Sequence, residues 1–301
     1  MSDFWSWYII VIVLANIIGY GLLLHFTGKV KGSGNPEETT GHVYDGIEEL
    51  NTPMPRWWIF MFWISIVFAL VYLFLYPGLG SYKGYLGWTS EGQWQKEVEL
   101  ADKKFGPIYK AYGEQSIEAL LQDPKALKIG QRLFGNNCAA CHGSDANGSR
   151  GFPNLTDHDW LYGGSPEAIE TSILHGRSGM MPPMGMALGG DEGVAQVAAY
   201  VRSLSGQKVD FSQAEEGKKK FQVMCIACHG VDAKGNTLMG APNLTDNIWL
   251  YGGDAKTVQE TIAKGRNGKM PAQKDFLGTD KVHLLAAYVY SLSAQKQAFK
   301  K

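Results

Sequence analysis

Two short stretches constrain this 301-residue chain more than anything else in it: Cys138-Ala139-Ala140-Cys141-His142 and Cys225-Ile226-Ala227-Cys228-His229. Together they hold all four of its cysteines. Cys-x-x-Cys-His is the signature of covalent c-type haem attachment. Two thiols that bond the two vinyl groups of one porphyrin must sit about one helical turn apart, and the histidine that follows lies under the ring, where a nitrogen can reach iron. The competing uses of such pairs are a redox disulfide or a four-cysteine zinc site. A His directly after both pairs, each in its own copy of a repeat, favours haem. It is also not the spacing of a secreted disulfide scaffold.

From about Ala126 the sequence repeats itself. Pro153-Asn-Leu-Thr-Asp157 matches Pro242-Asn-Leu-Thr-Asp246, Trp160-Leu-Tyr-Gly-Gly164 matches Trp249-Leu-Tyr-Gly-Gly253, and Gly176-Arg177-x-Gly179 matches Gly265-Arg266-x-Gly268. Ala198-Ala-Tyr-Val-x-Ser-Leu-Ser205 matches Ala286-Ala-Tyr-Val-x-Ser-Leu-Ser293. Two copies with one haem motif each predict two small globular domains and not a solenoid. Each copy reads as helix, haem motif, Gly-rich loop, short helix, loop and closing helix, the last over 193–204 and 281–292. That is the layout of a class I cytochrome c, so the fold class expected is all-α with two such domains in tandem, at 126–206 and 207–301. A domain this small has little core of its own, and a porphyrin supplies the missing apolar mass.

The N-terminal part has a different character. Trp5 to Leu24 and Trp57 to Tyr76 contain no charged residue, and each is about the length that crosses a bilayer. The second carries Trp57 and Trp58 at one end and Tyr72 and Tyr76 at the other, an interfacial aromatic belt, before Pro77-Gly78 stops it. The start Met1-Ser2-Asp3 lacks the basic region of a cleaved signal. Residues 1–77 therefore form a membrane anchor of two helices, about 5–24 and 57–76. Lys29, Lys31 and Arg56 flank the connection between them and predict that it is cytoplasmic, with both termini on the other side. Residues 78–125 read as a periplasmic linker and then a helix, in which Val98, Ala101, Phe105 and Ile108 recur at helical spacing and Pro107 is expected to kink or divide it.

The connection contains Tyr44-Asp45-Gly46-Ile47-Glu48-Glu49-Leu50-Asn51-Thr52-Pro53-Met54-Pro55-Arg56-Trp57-Trp58. Running straight into a membrane helix and followed by two haem motifs, it resembles the CcoP (FixP) subunit family of cbb3-type cytochrome c oxidases, over essentially the whole chain. The resemblance implies two covalently bound haem c groups, a bacterial inner-membrane location with the haem domains periplasmic, and electron transfer from a soluble cytochrome c. It implies as partners a monohaem cytochrome c subunit and the haem–copper catalytic subunit. A stand-alone dihaem carrier of the cytochrome c4 kind and a dihaem peroxidase are the alternatives.

Within that frame Cys138, Cys141, Cys225 and Cys228 are the attachment residues, and His142 and His229 are axial ligands. A methionine commonly occupies the opposite side of a cytochrome c iron and raises its potential. Aligning the copies pairs Met181-Pro182 with Met270-Pro271, so Met181 and Met270 are the expected sixth ligands. Met180 is the alternative to Met181, and Met184 and Met186 lie close by. His175 aligns with Lys264 and is discounted, and Met224 is assigned to packing. Ligation within each copy is the simpler expectation. Pro153 and Pro242 are placed to offer a carbonyl to the ligating His. Arg177 and Arg266 suit haem propionates, and Trp160, Trp249, Tyr162 and Tyr251 suit pocket walls. No nucleophile–base arrangement and no nucleic-acid motif is present, so no catalytic residue is expected. Residues 128–206 carry more acidic than basic side chains, and 207–301, with Lys296, Lys300 and Lys301 in the tail, reverse the balance. Opposite charges of this kind steer docking.

Overall fold

The computed structural model describes residues 1–29 and 38–298. Lys31, Lys300 and Lys301 lie outside the described residues, as does the side chain of Lys296. The described chain is mostly helical and forms two compact units, residues 1–104 and 105–301.

The first unit opens with helix α1, Asp3–Thr27, continues through a short hairpin of strands β1, Thr39–Tyr44, and β2, Ile47–Leu50, and enters helix α2, Arg56–Leu75. Both helices are long and apolar enough to cross a membrane. They are apolar on all faces, and α2 buries none of its residues within the chain, so their natural surroundings are hydrocarbon. Helix α1 extends a few residues beyond its uncharged run, and α2 is shifted by one residue towards the N-terminus relative to its own. The hairpin is a feature that the sequence reading did not include, although its signal was present: Asp45 and Gly46 have φ of 52° and 84°, the left-handed pair of a tight turn, and Tyr44 pairs with Ile47 across it. After α2, the chain folds back so that the amides of Tyr85 and Leu86 donate to the last carbonyls of the helix, on Phe74 and Leu75. These groups would otherwise be orphaned at the helix end.

Helix α3, Ser90–Gly113, runs from the first unit into the second, with Pro107 inside it. The expected division at Pro107 does not occur. The proline removes one helical hydrogen bond, while the helix is held on both sides of it. The Gly92 amide donates to Thr89 Oγ1 at 2.9 Å at the start, and Tyr109 and Tyr112 pack into a core near the end.

The second unit contains α4, Ile117–Leu120; α5, Pro124–Asn137; α6, Ala139–His142; and α7, Pro166–His175. Strand β3, Arg177–Met181, leads to α8, Asp191–Leu204, and then to α9, Phe211–Met224; α10, Ile226–His229; and α11, Ala255–Lys264. Strand β4, Arg266–Met270, leads to the short α12, Lys274–Leu277, and the closing α13, Thr279–Ala298. Side-chain caps start the helices locally. Ser116, Asp123, Ser165, Asp210 and Asp254 each accept a backbone N–H from the first turn that follows, and Pro124 and Pro166 sit at first-turn positions where no donor is needed.

The boundaries 126–206 and 207–301 divide the sequence but not the packing. The closing helix of each copy lies on the opening helix of the other: α13 packs against α4, α5 and α7, and α8 packs against α9 and α11. The two lobes that result are matched in detail. In the first, Phe134 of α5 meets Tyr288 of α13 at 5.6 Å between ring centroids. In the second, Phe221 of α9 meets Tyr200 of α8 at 5.2 Å. The helices approach at Gly130, where an added methyl would lie 2.7 Å from the Leu284 carbonyl oxygen, and at Gly217, where it would strike the Gln196 carbonyl. The first core joins Ile117, Leu120, Phe134, Ile169 and Ile173 to Val282, Leu284 and Leu285. The second joins Val194, Val197 and Val201 to Phe221, Val258 and Ile262. His283 of α13 also ties the first lobe, with Nδ1 2.9 Å from Glu170 Oε1 and Nε2 2.8 Å from the Gln115 carbonyl.

The chain crosses between lobes twice, on β3 and β4, and these two strands pair antiparallel with Gly179 opposite Gly268 at the centre. Gly176 and Gly265, with φ of 70° and 71°, stand where each strand begins, and any side chain there would meet the backbone of the other crossing segment.

Candidate haem sites

Each Cys-x-x-Cys-His begins where an opening helix ends. Cys138 caps α5 and starts α6; Cys225 caps α9 and starts α10. The amides of Cys141 and His142 donate to the Cys138 carbonyl, and those of Cys228 and His229 to the Cys225 carbonyl. This single turn brings both thiols and the imidazole of each motif to one place. Among the described residues, no disulfide joins the four cysteines. Burial, with a smaller contribution from the neighbouring thiol, pushes Cys138 and Cys225 up to about 11.

The histidines are oriented alike. His142 Nδ1 donates to the Pro153 carbonyl at 3.1 Å, and His229 Nδ1 to the Pro242 carbonyl at 3.2 Å. Fixing Nδ1–H leaves Nε2 with its lone pair free for a metal. Burial lowers the proton affinity of His229, which also favours the neutral, ligating imidazole. The loops that supply the prolines are held by matching bonds: Leu155 N–H donates to the Ala146 carbonyl, and Leu244 N–H to the Ala233 carbonyl, both at 2.8 Å. Ala146 and Ala233, with φ of 59° and 57°, share the same left-handed conformation.

The methionines are placed by the ribbon. Along β3, Arg177, Gly179 and Met181 are partly covered, whereas Ser178 and Met180 point out. Met180 is 77% exposed and Met186 is 98% exposed, and His175 is exposed at the end of α7. Met181 packs against the second core, the one that includes Cys225 and Ile226, and Met184 does so as well. Met270 packs against the first core, with Cys138, Ala139 and Trp160. Each expected methionine is therefore delivered to the motif of the other copy, and the expectation of ligation within a copy does not fit this packing. The cause is the exchange of closing helices, because each methionine precedes the helix that crosses over.

The ribbon also carries two cations. Arg177 lies opposite Met270, and Arg266 opposite Met181. Arg177 sits 4.8 Å from the Tyr162 ring centroid and donates through Nε to Ser172 Oγ at 2.9 Å; Arg266 sits 4.5 Å from the Tyr251 ring and donates to Thr261 Oγ1 at 3.0 Å. Among the described residues, neither guanidinium has a carboxylate partner. Two partly covered guanidiniums without counter-ions fit an anionic group in each lobe, and the carboxylates of a porphyrin meet that need. Trp160 and Trp249 pack against the first and second core. Met224, 36% exposed, is at the edge of the second motif. A feature without a sequence signal is Asp159, which faces Asp246 of the other copy. Burial, with the charges of Asp246 and Asp157, pushes it up to about 6.

A family model described as the N-terminal domain of cytochrome oxidase-cbb3, FixP, matches residues 36–83. One described as cytochrome c oxidase, cbb3-type, subunit III, matches residues 125–201 and again 212–289. The chain is 49% identical over 298 residues to the cbb3-type cytochrome c oxidase subunit CcoP of Rubrivivax gelatinosus, with 97% of each covered. It is 44% identical over 280 residues to the FixP subunit of Bradyrhizobium sp. (strain ORS 278), covering 86% of this chain and 95% of the relative. To the CcoP subunit of Cereibacter sphaeroides it is 40% identical over 272 residues, covering 84% of this chain and 94% of the relative.

Proposed function

Because this chain belongs to the CcoP/FixP family, subunit III of cbb3-type cytochrome c oxidase, we propose that it binds two haem c groups and relays electrons from a soluble cytochrome c, through a monohaem subunit, towards the haem–copper catalytic subunit. As a family member it is a cytochrome c-type subunit of an oxidoreductase complex. The carrying observation is the doubled motif, with each histidine turned by a proline carbonyl and each lobe supplied with a methionine. Cys138 and Cys141 would bond the porphyrin of the first lobe, with His142 and Met270 on its iron. Cys225 and Cys228 would bond that of the second, with His229 and Met181 on its iron. The bound haems supply reversible one-electron chemistry, and His/Met ligation places it at a raised potential. The proline carbonyls hold the two imidazoles in orientation, Met270 and Met181 would be the second iron ligands, and Arg177 and Arg266 would balance the propionates.

Met181 stands four residues from Arg177, the partner of Met270, so the two methionines are about 13 Å apart along the ribbon. That closeness supports passage of an electron between the lobes. With α1 and α2 in the inner membrane, the positive flanks at Lys29 and Arg56 favour a cytoplasmic connection and periplasmic lobes and termini.

The mass of the mature chain and a haem-stained gel of the purified membrane complex test the proposal. Two thioether-linked haems on a chain that leaves the membrane with a haem–copper partner are expected. Bare thiols, or a chain that leaves the membrane alone, would overturn it.

A further inference from the structure

Helix α3 carries an apolar stripe that its own chain leaves largely in solvent. Trp94, Val98, Ala101, Phe105, Ile108 and Tyr112 follow one another at alternating steps of four and three residues. A period of about 3.5 residues keeps one stripe of a helix against a second helix. The stripe is about 27 Å long. It ends in the first lobe's core, where Tyr109 and Tyr112 pack. Elsewhere α3 buries no residue: Trp94 is 62% exposed, and Val98, Ala101 and Ile108 are exposed as well. The segment that leads into the helix lies along another side of it. Trp88 Nε1 donates to Gln93 Oε1 at 3.0 Å, and Trp88 lines a cleft with Lys96 and Leu100. Gly106 and Pro107 stand inside the helix, and they are the residue types that weaken a helix interior most. Such a helix is stabilised mainly by packing of its apolar face.

Spacing, charge and position together select what covers the stripe. Alternating steps of four and three suit the knobs and holes of a facing helix, not a strand. The other faces of α3 carry four carboxylates and four ammonium groups, whereas a helix lying in a membrane interface has a cationic polar face. Glu97 and Asp102 flank the stripe on its two edges, and neither has an ion-pair partner among the described residues. Parallel pairing with a second copy would set Glu97 of one helix against Asp102 of the other, a like-charge contact that opposes association. The amides of Tyr85 and Leu86 donate to the last carbonyls of α2, and only residues 87–89 separate them from α3. The stripe therefore begins beside the end of a membrane helix. We infer that Trp94, Val98, Ala101 and Ile108 seat an α-helix from another subunit of the oxidase, one with its own apolar stripe and with basic side chains where it passes Glu97 and Asp102; this rests on the reading of the chain as one subunit of an assembled complex and gives that assembly a contact surface. Burial of the stripe supplies the packing that α3 lacks within its own chain.

Photo-crosslinking in the intact membrane complex tests this, with a benzophenone side chain placed at Val98 or, on the opposite face of α3, at Lys103. The subunits that leave the membrane with the unaltered chain are recorded first; an unaltered chain that leaves alone would defeat the assembly reading itself. With the complex intact, the probe at Val98 is expected to join this chain to another oxidase subunit, and the probe at Lys103 is expected to lose that product. Equal products from both positions, a product made of two copies of this chain, a lipid adduct alone, or no product from Val98 would overturn the inference. Ala101→Glu gives a second reading and keeps a good helix former in place. The share of haem-loaded chain that co-purifies with the other subunits should fall about tenfold, as expected where a charge is forced into an apolar contact. An unchanged share would refute the contact.

Discussion

Met270 lies directly across the ribbon from Arg177, and the two come from different copies of the repeat. The same relationship joins Met181 to Arg266. Each core is therefore packed by a methionine from the other copy, Met270 in the first and Met181 in the second.

Crossed ligation can be read in a chain reduced to one haem. With Cys138 and Cys141 both changed to Ala, the remaining haem sits on Cys225 and Cys228. Met181→Ala should then open its iron, convert it to a high-spin spectrum and lower its potential, while Met270→Ala should leave it unchanged. The reverse response would establish ligation within each copy.

The exchange of closing helices can be measured as a coupling energy. Phe134 contacts Tyr288, not the equivalent Tyr200, and Phe221 contacts Tyr200. A double-mutant cycle of Phe134→Ala with Tyr288→Ala should return about 0.5–1.5 kcal/mol, the range for an aromatic pair, and the cycle of Phe134 with Tyr200 close to zero. Chemical denaturation of the haem-loaded protein gives both values. Coupling to Tyr200 in place of Tyr288 would mean that the copies close on themselves.

The two helix crossings tolerate no side chain. Gly130→Val places its branch against the Leu284 carbonyl and Tyr288, and Gly217→Val meets the Gln196 carbonyl. Each should cost about 1–3 kcal/mol or more through forced separation of the helices, seen as a lower unfolding temperature and less haem-stained protein. Gly135→Val is the control, since a methyl at Gly135 meets nothing within 4 Å; the smaller cost of a β-branched residue in a helix is all that should remain there.

Asp159 should make stability depend on pH. Its pKa is raised from 3.8 to about 6 by burial and by Asp246 and Asp157. Between those values the folded state binds more protons than the unfolded state, so the contribution of this group to stability falls as pH rises from about 4 to 6 and stays low above that. Asp159 is only partly buried, which keeps the effect well below its full buried value. Asp159→Asn should flatten the profile over that window and stabilise the protein at neutral pH. A variant with an unchanged profile in thermal unfolding would show that the two carboxylates do not meet.

Local chemistry made much of this protein legible without a fold. The haem motifs, the proline carbonyls behind them and the two membrane helices each depend on residues close in sequence, and their physical demands, a one-turn thiol spacing or a bilayer-length apolar run, leave a direct trace in the chain. The β1–β2 hairpin is equally local, its tight turn set by Asp45-Gly46. Pro107 does not divide α3, because a proline removes only one helical hydrogen bond and the helix continues on both sides of it.

The pairing of the copies was of a different kind. The repeats are so alike that α8 and α13 offer nearly the same apolar face, with Tyr200 and Tyr288 at the same place, and either could cover either opening helix. Nothing local distinguishes the closed from the exchanged arrangement. What separates them is the course of the crossing strands: β3 and β4 satisfy each other's backbone groups only when both segments cross, with Gly176 and Gly265 permitting the approach. The sequence by itself determined two Cys-x-x-Cys-His motifs behind two apolar runs of membrane-crossing length. Only tertiary structure decided which methionine meets which motif, because that choice belongs to long-range packing between near-identical surfaces.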